Sequence, residues 1–207
     1  MTKVISFISR KGGTGKTTAA INLATTLHSL KKTVALLETD TNYTLSTLRN
    51  IEEEQNSTKQ KSFPIYGSDD ESVINSIEQF KAENKFDVIV VDSAGKTTNE
   101  EIKLLALTSD LIIIPTSLTK NDYLVTYQTV EDLKPAQEHK NELKLLILPN
   151  RVHSLTKQET IASALEGLDA EILKTRVSHK NIFANFSTIN AEEEFKEIAK
   201  EIITHLF

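Results

Sequence analysis

Ser9-Arg10-Lys11-Gly12-Gly13-Thr14-Gly15-Lys16-Thr17-Thr18 follows a short β-branched run, Val4-Ile5-Ser6-Phe7-Ile8, and opens a helical pattern that continues to Leu30. A strand, a glycine loop and Gly-Lys-Thr at a helix start form the arrangement that cradles nucleotide phosphates. Three of the chain's six glycines lie in this loop. Without a Cβ, the backbone can bend so that successive N–H groups converge on one anion. The phosphate-binding set is therefore Gly12, Gly13, Thr14, Gly15, Lys16, Thr17 and Thr18. Lys16 is placed to reach the β- and γ-phosphates of ATP, and the Thr17 hydroxyl to bind Mg²⁺.

The loop departs from the general phosphate-loop pattern, because Arg10 stands where the first glycine belongs. What replaces it is Lys11-Gly12-Gly13-Thr14-Gly15-Lys16-Thr17, with two lysines five apart. The extra cation must fold onto its own loop, point to solvent, or reach a nucleotide on another subunit. This string resembles the deviant Walker A loop of the ParA/MinD ATPases, in which the extra lysine is the family signature. The resemblance implies that Lys11 crosses a homodimer interface and touches the partner's phosphates. Such a group supplied in trans is worth ~10³–10⁵ in rate for an arginine finger. Lys11, Lys16 and Asp40 are the catalytic set that the resemblance implies.

With 207 residues the chain fits one domain, spanning 1–207, that is large enough for a sizeable core. No apolar run approaches the ~18 residues that a transmembrane helix needs, and a chain that enters a strand at once leaves no room for a signal peptide. The absence of cysteine excludes disulfides and thiolate metal sites. These features predict a cytoplasmic protein. A net charge of −5 gives no global attraction to nucleic acid, so DNA contact requires a local patch.

Continuous apolar runs recur at Thr33–Leu37, Phe86–Val91, Leu111–Ile114 and Leu143–Leu148. Such runs suit parallel strands covered on both faces. Helical patterns lie between them at about 17–30, 69–83, 98–108, 119–137 and 156–165. The alternation predicts an α/β fold of the P-loop NTPase type: a mostly parallel twisted sheet with helices on both faces, in three layers. Pro115 and Pro149 each close an apolar run, as a strand end allows. Residues 50–62 are polar and weakly patterned, as expected of a solvated helix end and loop. From Ala191 to Phe207 the apolar residues share one helical face and the other face is rich in glutamate. A membrane-surface helix would carry lysine and arginine there, so an amphipathic helix packed on the core is expected.

Asp92 ends the run Val88–Val91, the Walker B position for a carboxylate that holds Mg²⁺. Ser93-Ala94-Gly95 follows, and Gly95 is the candidate for a backbone contact to the γ-phosphate. Glu38-Thr39-Asp40-Thr41-Asn42 ends another run. In the family resembled, this segment reads Asp-x-Asp-Pro-Gln. Asp40 matches the second aspartate, which the resemblance implies lies near Mg²⁺ and positions the attacking water; Asp40 could instead cap a helix from Tyr43 to Leu48. Glu38, Thr41 and Asn42 depart from that pattern, and loss of the proline frees the loop. The resemblance also suggests that Asn150, Arg151 and the segment Val177–His179 frame the adenine.

The resemblance covers nearly the whole chain and looks nearest to the small ParA proteins of plasmid partition. It implies a slow ATPase whose ATP-bound dimer, or a higher polymer, binds DNA without sequence preference, associates with the nucleoid and is stimulated by a small centromere-binding, ParB-like partner. Candidate DNA residues are Lys157, Lys174, Arg176 and Lys180. With no room for an N-terminal helix-turn-helix domain, operator-specific binding is not expected. Cysteine-ligated cluster carriers are excluded by composition, and MinD-like regulators are disfavoured by the acidic C-terminal segment. The alternatives are a cargo-positioning or scaffold ATPase using the same switch, or a MinD-like division-site regulator.

Overall fold

The first strand, β1 (Lys3–Phe7), is built from Val4, Ile5 and Phe7, which carry no exposed surface. It lies at the centre of a seven-stranded sheet in a computed structural model that describes residues 1–40, 42–55, 62–68, 72–95 and 99–206. Around it run α1 (Lys16–Ser29), β2 (Val34–Glu38), α2 (Thr44–Gln55), β3 (Ile65–Gly67), α3 (Ser72–Glu83), β4 (Val88–Asp92), α4 (Asn99–Thr108), β5 (Leu111–Thr116), α5 (Lys120–His139), β6 (Lys144–Pro149), α6 (Gln158–Ala164), β7 (Glu171–Ile172), α7 (Asn181–Ala184) and α8 (Phe195–Leu206). The strand order is β3-β2-β4-β1-β5-β6-β7, and all pairings are parallel. The α/β reading therefore holds, with helices in layers on both faces of the sheet.

Both faces of the strands are apolar because both are covered. Ile5, Phe7, Leu36, Val88, Val90 and Ile113 face a layer formed by α1 and α8. Val4, Leu37, Ile89, Val91, Ile112 and Ile114 face α3, α4 and α5. Each fully buried Leu or Ile contributes roughly 1.5–3 kcal/mol relative to exposure. The C-terminal helix packs as its pattern predicts: Phe195, Ile198, Ala199, Ile202 and Leu206 are buried in the first of these layers. Among the described residues no helix is long and apolar enough to cross a membrane.

Three short elements, β3, β7 and α7, escape the sequence patterns because two to four residues carry no readable period. Pro115 lies inside β5 rather than closing it. The sheet tolerates it because β1 pairs with β5 only as far as Ile113, so no ladder bond toward β1 is lost. Residues 56–61, 69–71 and 96–98 and Thr41 lie outside the described residues. They include parts of the expected 50–62 loop and the starts of the expected helices at 69 and 98.

The helix expected from Tyr43 to Leu48 extends as α2 to Gln55, and it contains a buried arginine. Arg49 Nε donates to Thr188 Oγ1 (2.9 Å), and its two terminal nitrogens donate to the carbonyls of Phe63 and Thr188, each at 2.6 Å. Its guanidinium also stacks 4.6 Å from the Phe63 ring centroid. Glu52, one turn nearer the helix end, accepts from the Thr188 N–H at 2.8 Å. A buried guanidinium loses hydration and needs every one of these acceptors. Arg49→Ala should therefore lower unfolding free energy by about 2–4 kcal/mol, measured by urea denaturation; a change within experimental error would show that α2 is held by its apolar contacts alone.

Candidate functional site

The register of the central strands assembles the site. Phe7 of β1 and Glu38 of β2 both pair with Asp92 of β4, so three parallel strands end level. In such sheets ligands sit beyond the carboxyl ends of the strands. From β1 the chain enters the glycine loop and then α1, whose first residue is Lys16. Ser93 Oγ donates to the Phe7 carbonyl at 2.7 Å and Ala94 N–H to Thr39 Oγ1 at 2.9 Å. These bonds tie the segment after β4 to the ends of its two neighbours.

Two of the loop contacts require glycine. Gly15 has φ +97°, and a Cβ there would lie 2.0 Å from Asn150 Nδ2. Asn150, buried after β6, donates from that nitrogen to the Thr14 carbonyl at 2.7 Å. Gly95 is pressed onto the loop from the β4 side: a Cβ would lie 2.9 Å from Gly12 Cα and 3.5 Å from Lys16 Nζ. The loop is thus held between Asn150 on one flank and Gly95 on the other.

Lys16 is 6% exposed, and its ammonium donates to the carbonyls of Lys11 (3.3 Å) and Ser9 (3.5 Å). Burial holds its pKa below the ordinary lysine value, while the charges of Asp92 and Asp40 pull the other way. Asp92 is 1% exposed, and its Oδ1 has no hydrogen-bond partner. Burial pushes its carboxyl up to about 7, against the Thr17 hydroxyl bond and the Lys16 charge; Glu38 and Asp40 add to the upward push. A buried carboxylate oxygen without a donor, beside a threonine hydroxyl, is a donor set that fits a hard divalent cation. Thr17 and Asp92 would hold Mg²⁺, which when bound would neutralise phosphate charge. Asp40 is half-buried, with its Oδ1 accepting from the Asn42 backbone N–H (3.0 Å) and side-chain amide (2.9 Å).

Glu38 has a structural task that its sequence position did not reveal. It is 1% exposed, and its carboxylate accepts from the N–H groups of Leu45 (2.8 Å) and Ser46 (3.2 Å). It therefore caps α2, where unpaired N–H groups and the helix dipole favour an anion. Capping falls to Glu38 and not to the Asp40 side chain. The signal was present in the β-strand-final glutamate seven residues before Leu45, but nothing in that spacing distinguishes a cap from a metal ligand.

Asn150 and Arg151 join Gly15, Thr18, Ser178, His179, Lys180, Asn181 and Phe183 around a cavity of about 380 Å³. The backbone bonds Val177 N–H to Pro149 O (2.9 Å) and His179 N–H to Val152 O (3.0 Å) bring these two segments together. Lys180, first considered for DNA, borders this cavity and pairs with Glu194. Arg176 donates to the carbonyls of Thr156 (2.7 Å) and Ser154 (3.0 Å), so its guanidinium holds the loop before α6. Lys157 and Lys174 are exposed.

Lys11 is half-exposed, and its ammonium lies 2.7 Å from Asp122 Oδ1 at the start of α5. Arg10, its neighbour, makes a second ion pair to the same helix, Nε to Asp132 Oδ2 at 2.7 Å. Sequence reasoning missed both acids. The signal was the polar series Asp122, Thr126, Thr129, Asp132, spaced by four, three and three along one side of a helix.

The Asp92 carboxyl keeps its proton to about pH 7 in the folded chain but loses it near 3.8 when unfolded. Between these values the folded state binds more protons, so this group's contribution to stability falls as pH rises and is lowest above pH 7. Asp92→Asn should accordingly be more stable than the parent without nucleotide or Mg²⁺ at pH 8, by roughly 1–2 kcal/mol. The advantage should shrink toward pH 5. Thermal melts across pH check this, and an advantage that grows on acidification would refute it.

A family model described as VirC1 protein matches residues 2–190. Protein virC1 of Rhizobium radiobacter is 30% identical over 172 residues, covering 80% of this chain and 73% of that protein. Among solved structures, the fold is similar to the MinD cell division protein of Aquifex aeolicus, with TM-score 0.70, 20% identity, and 98% and 97% of the two chains covered. It is also similar to a plasmid partition protein from Borrelia burgdorferi, with TM-score 0.67, 20% identity and 98% of each chain covered. The strand order, the glycine loop and the Asp92 carboxylate are thus set in a fold shared with MinD and plasmid partition proteins, and the chain belongs to the VirC1 family.

Proposed function

We propose that this chain is an ATP-binding and ATP-hydrolysing switch of the DNA-partition type. The observation that carries the reading is the buried, partnerless Asp92 oxygen beside Thr17 and the Lys16 ammonium, at the mouth of a glycine loop braced on both flanks. ATP lays its phosphates along Gly12–Thr18 and its base in the cavity bounded by Asn150, Arg151 and the 178–183 segment. Lys16 exchanges the carbonyls of Ser9 and Lys11 for phosphate oxygens, which offer a full charge in place of two long hydrogen bonds. Thr17 and Asp92 would hold Mg²⁺, which would supply charge neutralisation at the phosphates, and Asp40 orients the attacking water.

Lys11 is the residue that makes this a dimer switch. Its ammonium stays half-exposed and, among the described residues, pairs with Asp122, an ion pair open enough to solvent to be of modest worth. In an ATP-bound homodimer it leaves Asp122 for the partner's phosphates. The closed dimer binds DNA without sequence preference through lysines such as the exposed Lys157 and Lys174, and a small centromere-binding partner stimulates hydrolysis. The resemblance of fold to a plasmid partition protein supports this reading.

ATP hydrolysis measured alone, with DNA, and with a centromere-binding partner tests the enzyme reading; no turnover under any of these conditions would remove it. Lys11→Ala should keep monomeric nucleotide binding yet lose ATP-dependent dimerisation, read by light scattering, and an ATP-bound dimer of that variant would count against the role in trans. Lys157→Glu with Lys174→Glu should weaken ATP-dependent DNA retention by about tenfold or more at low salt while sparing nucleotide affinity. Equal retention by this variant and the parent would move the DNA surface elsewhere.

A further inference from the structure

Asp122, Thr126, Thr129 and Asp132 form a polar ridge along α5, and the ridge faces the entrance of the glycine loop. Thr126 Oγ1 donates to Thr116 Oγ1 at 2.7 Å, which seats the ridge on the end of β5. Thr129 Oγ1 accepts from the Arg10 backbone N–H at 3.4 Å. Asp132 Oδ2 lies 2.7 Å from Arg10 Nε in an ion pair. One helix therefore meets Arg10 at both backbone and side chain, at residues three apart, the side-chain contact being an ion pair outside hydrogen-bond geometry.

The position matters because of what flanks it. Arg10 occupies the place of the first glycine in the general phosphate loop. A long cation there must be drawn away from the loop's concave side, and Asp132 does so. The residues on either side of Arg10 are Ser9 and Lys11, whose carbonyls are the two acceptors of the Lys16 ammonium. The bond to the Arg10 N–H holds the plane of the Ser9–Arg10 peptide and with it the Ser9 carbonyl, and the Arg10 side chain anchors the residue that leads into Lys11. Arg10 is less exposed than Lys11, at 35% against 48%, while their acids Asp132 and Asp122 are both largely buried, at 21% and 16%.

We infer that Arg10 and Asp132 are a positioning pair that sets the phosphate loop, and through it the Lys16 ammonium, for nucleotide binding. They touch no phosphate; they act through the backbone of residues 9–11. Asp132 serves the resting geometry of the loop in each protomer, whereas Lys11 acts across the dimer, so the two adjacent cations of the loop have separate tasks. The inference rests on the nucleotide-binding reading above.

The test is calorimetric titration of the full-length protein with Mg-ADP, which needs neither dimerisation nor hydrolysis, with a thermal melt of each variant. Arg10→Ala and Asp132→Asn should each weaken Mg-ADP binding by about tenfold, since small misplacements of a binding group are costly, with melting temperatures close to that of the parent. The double variant should bind no more weakly than either single variant, because both remove one interaction. Arg10→Lys should recover part of the lost affinity. Parent-like affinity in both single variants, or losses that add in the double variant, would overturn the inference while leaving nucleotide binding intact. If Arg10→Ala does not fold, Asp132→Asn and Arg10→Lys give the same comparison. Failure of the parent itself to bind Mg-ADP would overturn the nucleotide reading and this inference with it.

Discussion

The parallel register of β1 with β4 is the constraint on which everything else depends. Pairing Phe7 with Asp92 brings the end of a buried apolar strand level with the start of the glycine loop. It also carries a carboxylate into a place where water is scarce, which is costly unless something cationic relieves it. Lys16 relieves it in part, and so does the Thr17 hydroxyl. The remaining strain is what makes this corner of the sheet suited to a divalent cation and phosphates. The rest of the chain either covers the sheet that enforces the register or braces the loop against it.

The bracing is distributed. Asn150 holds the loop through Thr14, Gly95 lets the segment after β4 close on Gly12, and α5 holds Arg10 and Lys11. On the opposite flank, Glu38 leaves β2 beside Asp92 and caps α2, and α2 is fastened through Arg49 and Glu52 to Thr188. Helix α2 thus joins the carboxylate side of the site to the segment that follows the cavity beside Asn150 and Arg151. These struts are polar contacts inside a well-packed frame, so each depends on neighbouring elements being correctly placed.

The glycine loop, the four long apolar strands and the amphipathic C-terminal helix were legible because each carries a local periodicity or spacing with a direct physical meaning. Asp92 was legible because four apolar residues precede it. Glu38 was not: a buried carboxylate at a strand end reads the same whether it caps a helix or serves a cation, and the choice was made by where α2 starts. Nothing local singles out Arg49, yet it is buried because Phe63 and Thr188, far away in sequence, supply its acceptors. Arg176 and Lys180 stand among the DNA candidates of the sequence, and the fold gives one of them two carbonyls and the other a glutamate.

Sequence by itself determined the class of fold and which residues stand in the glycine loop at its centre. Hydrophobic periodicity and glycine placement act over a few residues and need no tertiary context. Tertiary structure alone decided the partners of charge: Lys11 with Asp122, Arg10 with Asp132, Glu38 with the start of α2 and Arg49 with Thr188. The reason is that a charged side chain is satisfied by whichever acceptor the packed backbone brings within about 3 Å, and no local pattern encodes that meeting.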